Sequence, residues 1–321
     1  MKKKVKALVL LSGGLDSILA VKLLSEQGIE VEAINFRTNF CGPSKARPAA
    51  KMLGVPMREV NIREDFLAVL KKPKYGYGAG LNPCIDCHAL MLKKAGEIMW
   101  EEGYSFVATG EVLGERPMSQ HKKALKIVEK EAGLEGYLLR PLSAKLLEST
   151  VPEKEGLVDR EKLLAISGRN RQPQMELAAR YGIKNYPTPA GGCALTQAGF
   201  TKRLKELAKH KPDFDVDDVD LVGLGRHFWL ASPNPPAGGE GGVNGVQIIL
   251  GRNKEENEIL KSARKSQDVF IIPLNFLGPE ALIKSAKISN NSIAKAKELI
   301  VRFSPKAKGR KTEELNFEVF D

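Results

Sequence analysis

The stretch Lys4-Val5-Lys6-Ala7-Leu8-Val9-Leu10-Leu11-Ser12-Gly13-Gly14-Leu15-Asp16-Ser17 decides the reading of this chain. Lys4–Leu11 is largely apolar and ends abruptly on a Ser-Gly-Gly turn, as a buried strand does. Ile18–Glu26 then carries a helical pattern, and Gly28 stands where a helix end favours a left-handed residue. Outward from there the pattern repeats. Glu30–Phe36 reads as a second strand, Lys45–Leu53 as a short helix closed by Gly54, and Met57–Ile62 as a third strand. His88–Glu102 reads as a further helix and Phe106–Thr109 as a strand, with helical stretches at Leu157–Ile166 and Gln174–Tyr181. Strands alternating with helices predict an α/β unit: a parallel sheet with helices on both faces.

The turn itself is an anion site in outline. Backbone N–H groups at a helix start, together with the helix dipole, attract phosphate. Gly13 and Gly14 let the backbone approach a pyrophosphate, Ser12 and Ser17 add hydroxyls, and Asp16 is a carboxylate suited to Mg²⁺. The Lys of a Walker A loop is missing, which favours attack at the α-phosphate with loss of pyrophosphate. The block resembles the SGGxDS signature of the PP-loop ATP pyrophosphatases, whose fold is of the adenine-nucleotide α-hydrolase type. That resemblance implies ATP and Mg²⁺, held by Ser12, Gly13, Gly14, Asp16 and Ser17.

Four cysteines are present. Cys84 and Cys87 stand in Asn82-Pro83-Cys84-Ile85-Asp86-Cys87-His88, at a helix start that should lower a thiol's pKa and favour the thiolate. Cys193 lies far along the chain, behind Gly191 and Gly192. Three thiolates suit a [4Fe–4S] cluster with one open iron; equally, one could carry a persulfide and another resolve it as a disulfide. Cys41 has no motif around it and is expected to be incidental, and His88 is expected to be a surface residue. Both cysteine blocks resemble those of PP-loop tRNA sulfurtransferases of the 2-thiouridylase and 4-thiouridine synthetase groups. The resemblance takes in Ala108-Thr109-Gly110-Glu111, Gly114–Gln120 and Leu139–Leu142, and places Gly110 and Glu111 near the nucleotide.

The formal charge of +11 suggests a polyanionic partner. No apolar run reaches membrane-spanning length, and Ala7–Leu11 is too short for a secretory signal, so a cytoplasmic location is expected. An acidic run, Asp213–Asp220, and a Gly/Pro-rich loop, Ser232–Gly245, precede strands at Val246–Leu250 and Val269–Ile272 and helices at Glu255–Lys265 and Ser292–Val301. Gly251-Arg252-Asn253, Asp268 and Gly278-Pro279 resemble the RNA-binding part of NFACT-type proteins. The resemblance implies an RNA surface with Arg252, Lys254, Lys261, Lys306, Lys308, Arg310 and Lys311 on phosphates.

The expected organisation is a PP-loop domain at residues 1–205 and a smaller α+β domain at 206–321. The expected activity is adenylation of a tRNA uridine oxygen and its replacement by sulfur, with Cys84, Cys87, Cys193 and Asp16 in catalytic roles. A cysteine desulfurase or inorganic sulfide would donate the sulfur, and a homodimer is a further expectation. Two other readings remain open: a PP-loop enzyme that activates a small molecule for amidation, and an RNA-binding factor with a vestigial nucleotide site.

Overall fold

The computed structural model describes residues 4–41, 45–186, 192–230, 245–285, 288–307, 309–310 and 314–321. Nearly all of Ser232–Gly245, and Lys308 and Lys311 of the basic tail, lie outside them. The chain divides into two compact units, Met1–Gln197 and Ala198–Asp321.

The first unit runs β1 (Lys6–Leu10), α1 (Leu15–Ser25), β2 (Glu30–Arg37), α2 (Ala46–Leu53), β3 (Met57–Asn61), α3 (Arg63–Lys71), α4 (Cys84–Glu102), β4 (Phe106–Ala108), α5 (Lys122–Glu131), β5 (Leu138–Leu139), α6 (Val151–Lys154) and α7 (Gln172–Arg180). Its sheet has the order β3-β2-β1-β4-β5, and every pairing is parallel. The apolar run of β1 follows from this central place, because both of its faces are covered. Ala7 and Val9 join a core with α1 residues Ile18, Leu19 and Leu24 and with Ala178 of α7. Leu8 joins the opposite core with Leu92 and Met99 of α4 and Val128 of α5. Helices therefore lie on both faces, as expected.

The order reverses between β1 and β4. Strands to one side of that point lead away through β2 and β3, and strands to the other through β5. In doubly wound sheets such a switch point opens a crevice at the carboxyl ends of the strands, where ligands bind.

One expected helix is not formed. Leu157–Ile166 contains only a single tight turn, Arg160–Lys162. Its backbone is drawn into extended pairing instead, with Leu164 N–H on the Pro141 carbonyl (3.0 Å) and Ile166 N–H on that of Leu142 (2.8 Å). Tertiary pairing overrides a helical pattern here.

The second unit runs α8 (Ala198–His210), α9 (Val216–Val222), β6 (Arg226–Leu230), β7 (Val246–Leu250), α10 (Lys254–Ser262), β8 (Val269–Pro273), β9 (Ala281–Lys284), α11 (Asn290–Arg302) and β10 (Phe317–Phe320). Its sheet is antiparallel, in the order β10-β8-β9-β7-β6. Alternate residues of β7 face opposite ways: Ile248 packs with Leu299 and Ile300 of α11, and Ile249 with Leu260 of α10 and Leu221 of α9. The acidic run turns out to start α9. Asp215 and Asp218 cap that helix reciprocally, each carboxylate accepting the other's backbone N–H at 2.9–3.0 Å. The unit boundary precedes α8, whose Phe200, Leu204 and Leu207 are buried, so a division at residue 205 would cut through this helix.

Candidate active site

The turn after β1 is built by its own hydroxyls. Ser17 donates to the Gly14 carbonyl (2.8 Å), Ser12 Oγ lies 3.2 Å from Ser17 Oγ, and Gly14 N–H donates to Ser12 Oγ (3.2 Å). Among the described residues no side-chain hydrogen bond caps the start of α1 at Gly14, and free N–H groups at a helix start are able to take an anion. Gly13 holds φ at +78°, and a Cβ there would come within 2.3 Å of the Lys45 carbonyl. Gly110, just past β4, lies directly against the same turn. A Cβ on it would meet Ser17 N at 2.4 Å and the Asp16 carbonyl carbon at 2.5 Å. Glycine is required at both places, and together they bring β1's turn and β4's exit into one backbone cradle at the switch point.

Asp16, the expected Mg²⁺ ligand, is engaged. Arg171 Nη2 donates to both its oxygens, at 3.2 and 3.0 Å, and Arg171 Nη1 donates to Glu115 at 2.6 Å. Burial, with the Asp16 carboxylate beside it, pushes the Glu115 carboxyl up in spite of Arg171. Two carboxylates at a phosphate turn fit a divalent ion that completes its shell with phosphate oxygens and water.

Glu111, just past β4, is held in a polar network. It is 6% exposed, and its oxygens take Arg140 Nε (3.0 Å), Thr109 Oγ1 (3.1 Å) and His88 Nδ1 (2.7 Å). Burial pushes its carboxyl up, but the Arg140 guanidinium and His88 outweigh that and bring it down to about 2. His88, whose side chain is 27% exposed, is tied into this buried network through Glu111. It connects the cysteine helix α4 to the strand exit beside the phosphate turn.

The cysteines converge. Phe40 accepts Ala194 N–H at 2.9 Å, which lays Cys41 alongside Cys193, and Leu195 accepts Leu81 N–H at 3.0 Å, which joins the Cys193 loop to the segment before Cys84. Asn82 explains its place before the Pro-Cys pair: its amide donates to Cys84 Sγ at 3.1 Å, and its Oδ1 accepts Gly80 N–H at 3.0 Å. Burial first, then Cys41, Cys193 and Cys84 nearby, push the Cys87 thiol well above its ordinary value. This reverses the expectation that the helix start would make Cys87 a ready thiolate, because desolvation disfavours the charged form. Burial also pushes Cys193 up, against a backbone hydrogen bond at Leu195. Among the described residues no group of three or more His, Cys, Asp or Glu side chains is placed to hold a metal ion. The thiols as arranged therefore do not fit a three-ligand iron–sulfur cluster.

Several site residues were not singled out from the sequence. Cys41 joins the other thiols through its position at the carboxyl end of β2. Arg171 and Glu115 meet because Gly168 N–H bonds the Leu113 carbonyl (2.7 Å), and Ser143 bridges Leu113 N–H and the Ile166 carbonyl (2.9 and 2.7 Å). Nothing in their spacing announces that pairing.

Comparison with known proteins falls on this same region. Residues 5–161 match the family model described as tRNA methyl transferase HUP domain. Residues 243–321 match the NFACT protein RNA binding domain, so both resemblances expected from the sequence, to PP-loop tRNA sulfurtransferases and to NFACT proteins, are met. The tRNA-specific 2-thiouridylase MnmA of Rippkaea orientalis is 25% identical over 69% of this chain and 64% of its own length. That of Caldicellulosiruptor saccharolyticus is 32% identical over 47% of this chain and 43% of its own. The chain thus spans less than two thirds of the length of these relatives. A 4-thiouridine synthetase, solved as an RNA complex with bound ATP, aligns at 18% identity and TM-score 0.40, over 68% of this chain and 52% of its own.

No helix among the described residues is long and apolar enough to cross a membrane. In the second unit, Arg252 is already committed: its guanidinium holds Glu256 and donates to the Gly223 carbonyl at 3.2 Å. Arg310 likewise donates to the carbonyls of Asn275 and Glu314, at 3.1 and 3.2 Å. Both read as structural clasps rather than as free phosphate contacts.

Proposed function

We propose that this chain is an ATP-consuming tRNA uridine thiolase. The observation that carries the reading is Gly110 lying on the Asp16–Ser17 backbone at the switch point, with a thiol cluster joined to the same sheet edge through His88 and Glu111. Relatives named as tRNA-specific 2-thiouridylases, and the NFACT RNA binding match, support tRNA as the substrate.

Ser12, Gly13, Gly14, Ser17 and the start of α1 would bind the phosphates of ATP, and Asp16 with Glu115 would hold Mg²⁺. The ion, when bound, would neutralise charge on the phosphates. Adenylation of a uridine carbonyl oxygen needs positioning and charge neutralisation more than covalent help from the protein. Sulfur then replaces the AMP-bearing oxygen.

The thiol arrangement favours the persulfide route over a cluster. One cysteine, loaded with sulfane sulfur by an external persulfide donor of the cysteine-desulfurase type, attacks the activated carbon through that terminal sulfur, and AMP leaves. A second thiolate attacks the carrier sulfur, which forms a protein disulfide and releases the thiolated base. An external dithiol then returns both cysteines to thiols. Cys84, whose sulfur accepts the Asn82 amide N–H, suits the carrier. The pushed-up Cys87 and Cys193 suit groups that stay protonated until the site is engaged.

The test uses ATP labelled at the α-phosphate, Mg²⁺ and bulk tRNA. AMP should form, and its formation should depend on the RNA. AMP formed equally well without RNA would replace this reading by activation of a small molecule.

A further inference from the structure

Arg171 lies at the N-terminal end of α7, and its guanidinium sits between Asp16 and Glu115 with one nitrogen toward each. Its side chain is 15% exposed. The three side chains together carry one net negative charge, at a turn whose backbone is arranged for a polyanion. That combination is unfavourable for an incoming triphosphate unless positive charge is released or supplied.

A second observation comes from the same helix turn. Gln174, three residues on and so on the same side of α7, is fully buried, yet among the described residues neither amide atom has a hydrogen-bond partner. Arg171 Nε is also buried without one. A buried polar atom without a partner carries a desolvation penalty, and native interiors keep few of them. Arg171 and Gln174 start a helix that packs on α1, the helix that opens from the phosphate turn.

We propose that Arg171 is a place-holder cation: it keeps Asp16 and Glu115 neutralised in the nucleotide-free chain, and turns to the β- and γ-phosphates when a divalent ion takes the two carboxylates. Gln174 then gives the displaced guanidinium a new partner at its Nε. This deepens the ATP reading above and rests on it. It makes the two-carboxylate site and its neutralising arginine alternative states of one device.

The experiment measures equilibrium binding rather than turnover. ATP and AMP are titrated by calorimetry in Mg²⁺, and Mn²⁺ alone by electron paramagnetic resonance, on the full chain and on Arg171→Gln and Arg171→Lys. Circular dichroism melts confirm that each variant is folded. Arg171→Gln should bind ATP about tenfold to a hundredfold more weakly, as expected for a lost charge-assisted contact. It should bind AMP within about twofold of the parent and bind bare Mn²⁺ more tightly, because the carboxylates are freed. Arg171→Lys should recover part of the ATP affinity. Unchanged ATP affinity, equal losses for ATP and AMP, or unchanged Mn²⁺ affinity in Arg171→Gln would overturn the proposal. In those cases the parent chain still binds ATP and the nucleotide reading stands. A parent chain that binds neither nucleotide would remove both.

Discussion

The phosphate turn and the thiol site share one edge of the parallel sheet but are built in opposite ways. The turn is backbone: two glycines, two serines bonding within five residues, and a helix start left open to an anion. The thiol site is assembled from three separated segments held together by single hydrogen bonds, Phe40 to Ala194 and Leu81 to Leu195. A backbone site is preorganised when the chain folds, so its contribution is electrostatic and constant. At the thiol site, desolvation pushes the partly buried Cys87 and Cys193 up and so disfavours their thiolates. Under the proposed function this difference would separate the two half-reactions, and mutations should divide along the same line.

The largest effects should come from the thiols. Changing Cys84, Cys87 or Cys193 to Ser should abolish sulfur transfer while leaving pyrophosphate release near the parent level, and the triple variant should be no worse than the singles. Loss of pyrophosphate release in the same variants would mean that the two regions are not separable. Asp16→Asn acts on the other side of the line. Pyrophosphate release in the presence of tRNA should fall by about a hundredfold or more, and a normal rate would detach Asp16 from the nucleotide.

How much of this was legible in the sequence follows from the same contrast. Ser12–Ser17 declared itself because its residues act where they stand in the chain, and the strand and helix on either side fixed its place. The parallel sheet followed from alternation of apolar runs with helical periods. Cys41, Glu115 and Arg171 did not declare themselves, because their partners are set by folding. The separation of 155 positions from Asp16 to Arg171 carries no local signal of the pair. The missing helix at Leu157–Ile166 has the same origin, since Pro141 and Leu142 offer carbonyls that only the tertiary structure brings near.

Gly110→Ala should have an intermediate effect. The added methyl meets Ser17 N at 2.4 Å, so strand exit and turn must part. ATP binding should weaken about tenfold, with about 1–3 kcal/mol lost from stability in urea unfolding. An unaltered ATP affinity would show that the cradle is not the nucleotide site.

The smallest effect should lie in the link between the two regions. Glu111 is held near about 2, below the ordinary carboxylate value of 4.5. A depressed carboxyl contributes stability that is complete above its unfolded value and is lost as pH falls from about 4.5 through about 2. Glu111→Gln should lower stability near neutral pH by at most a few kcal/mol and flatten that part of the acid limb. An acid limb identical to the parent's would show that the His88–Glu111–Arg140 network does not couple the thiol helix to the strand exit as drawn.

The central claim is that one sheet edge joins ATP chemistry to sulfur transfer on tRNA, and nucleoside mass spectrometry tests it most directly. Total tRNA from cells lacking this chain should lose a thiolated uridine, with the unmodified form rising in step. The parent gene should restore it, and neither Asp16→Asn nor Cys193→Ser should. An unchanged profile of thiolated nucleosides in the deletion strain would contradict the account.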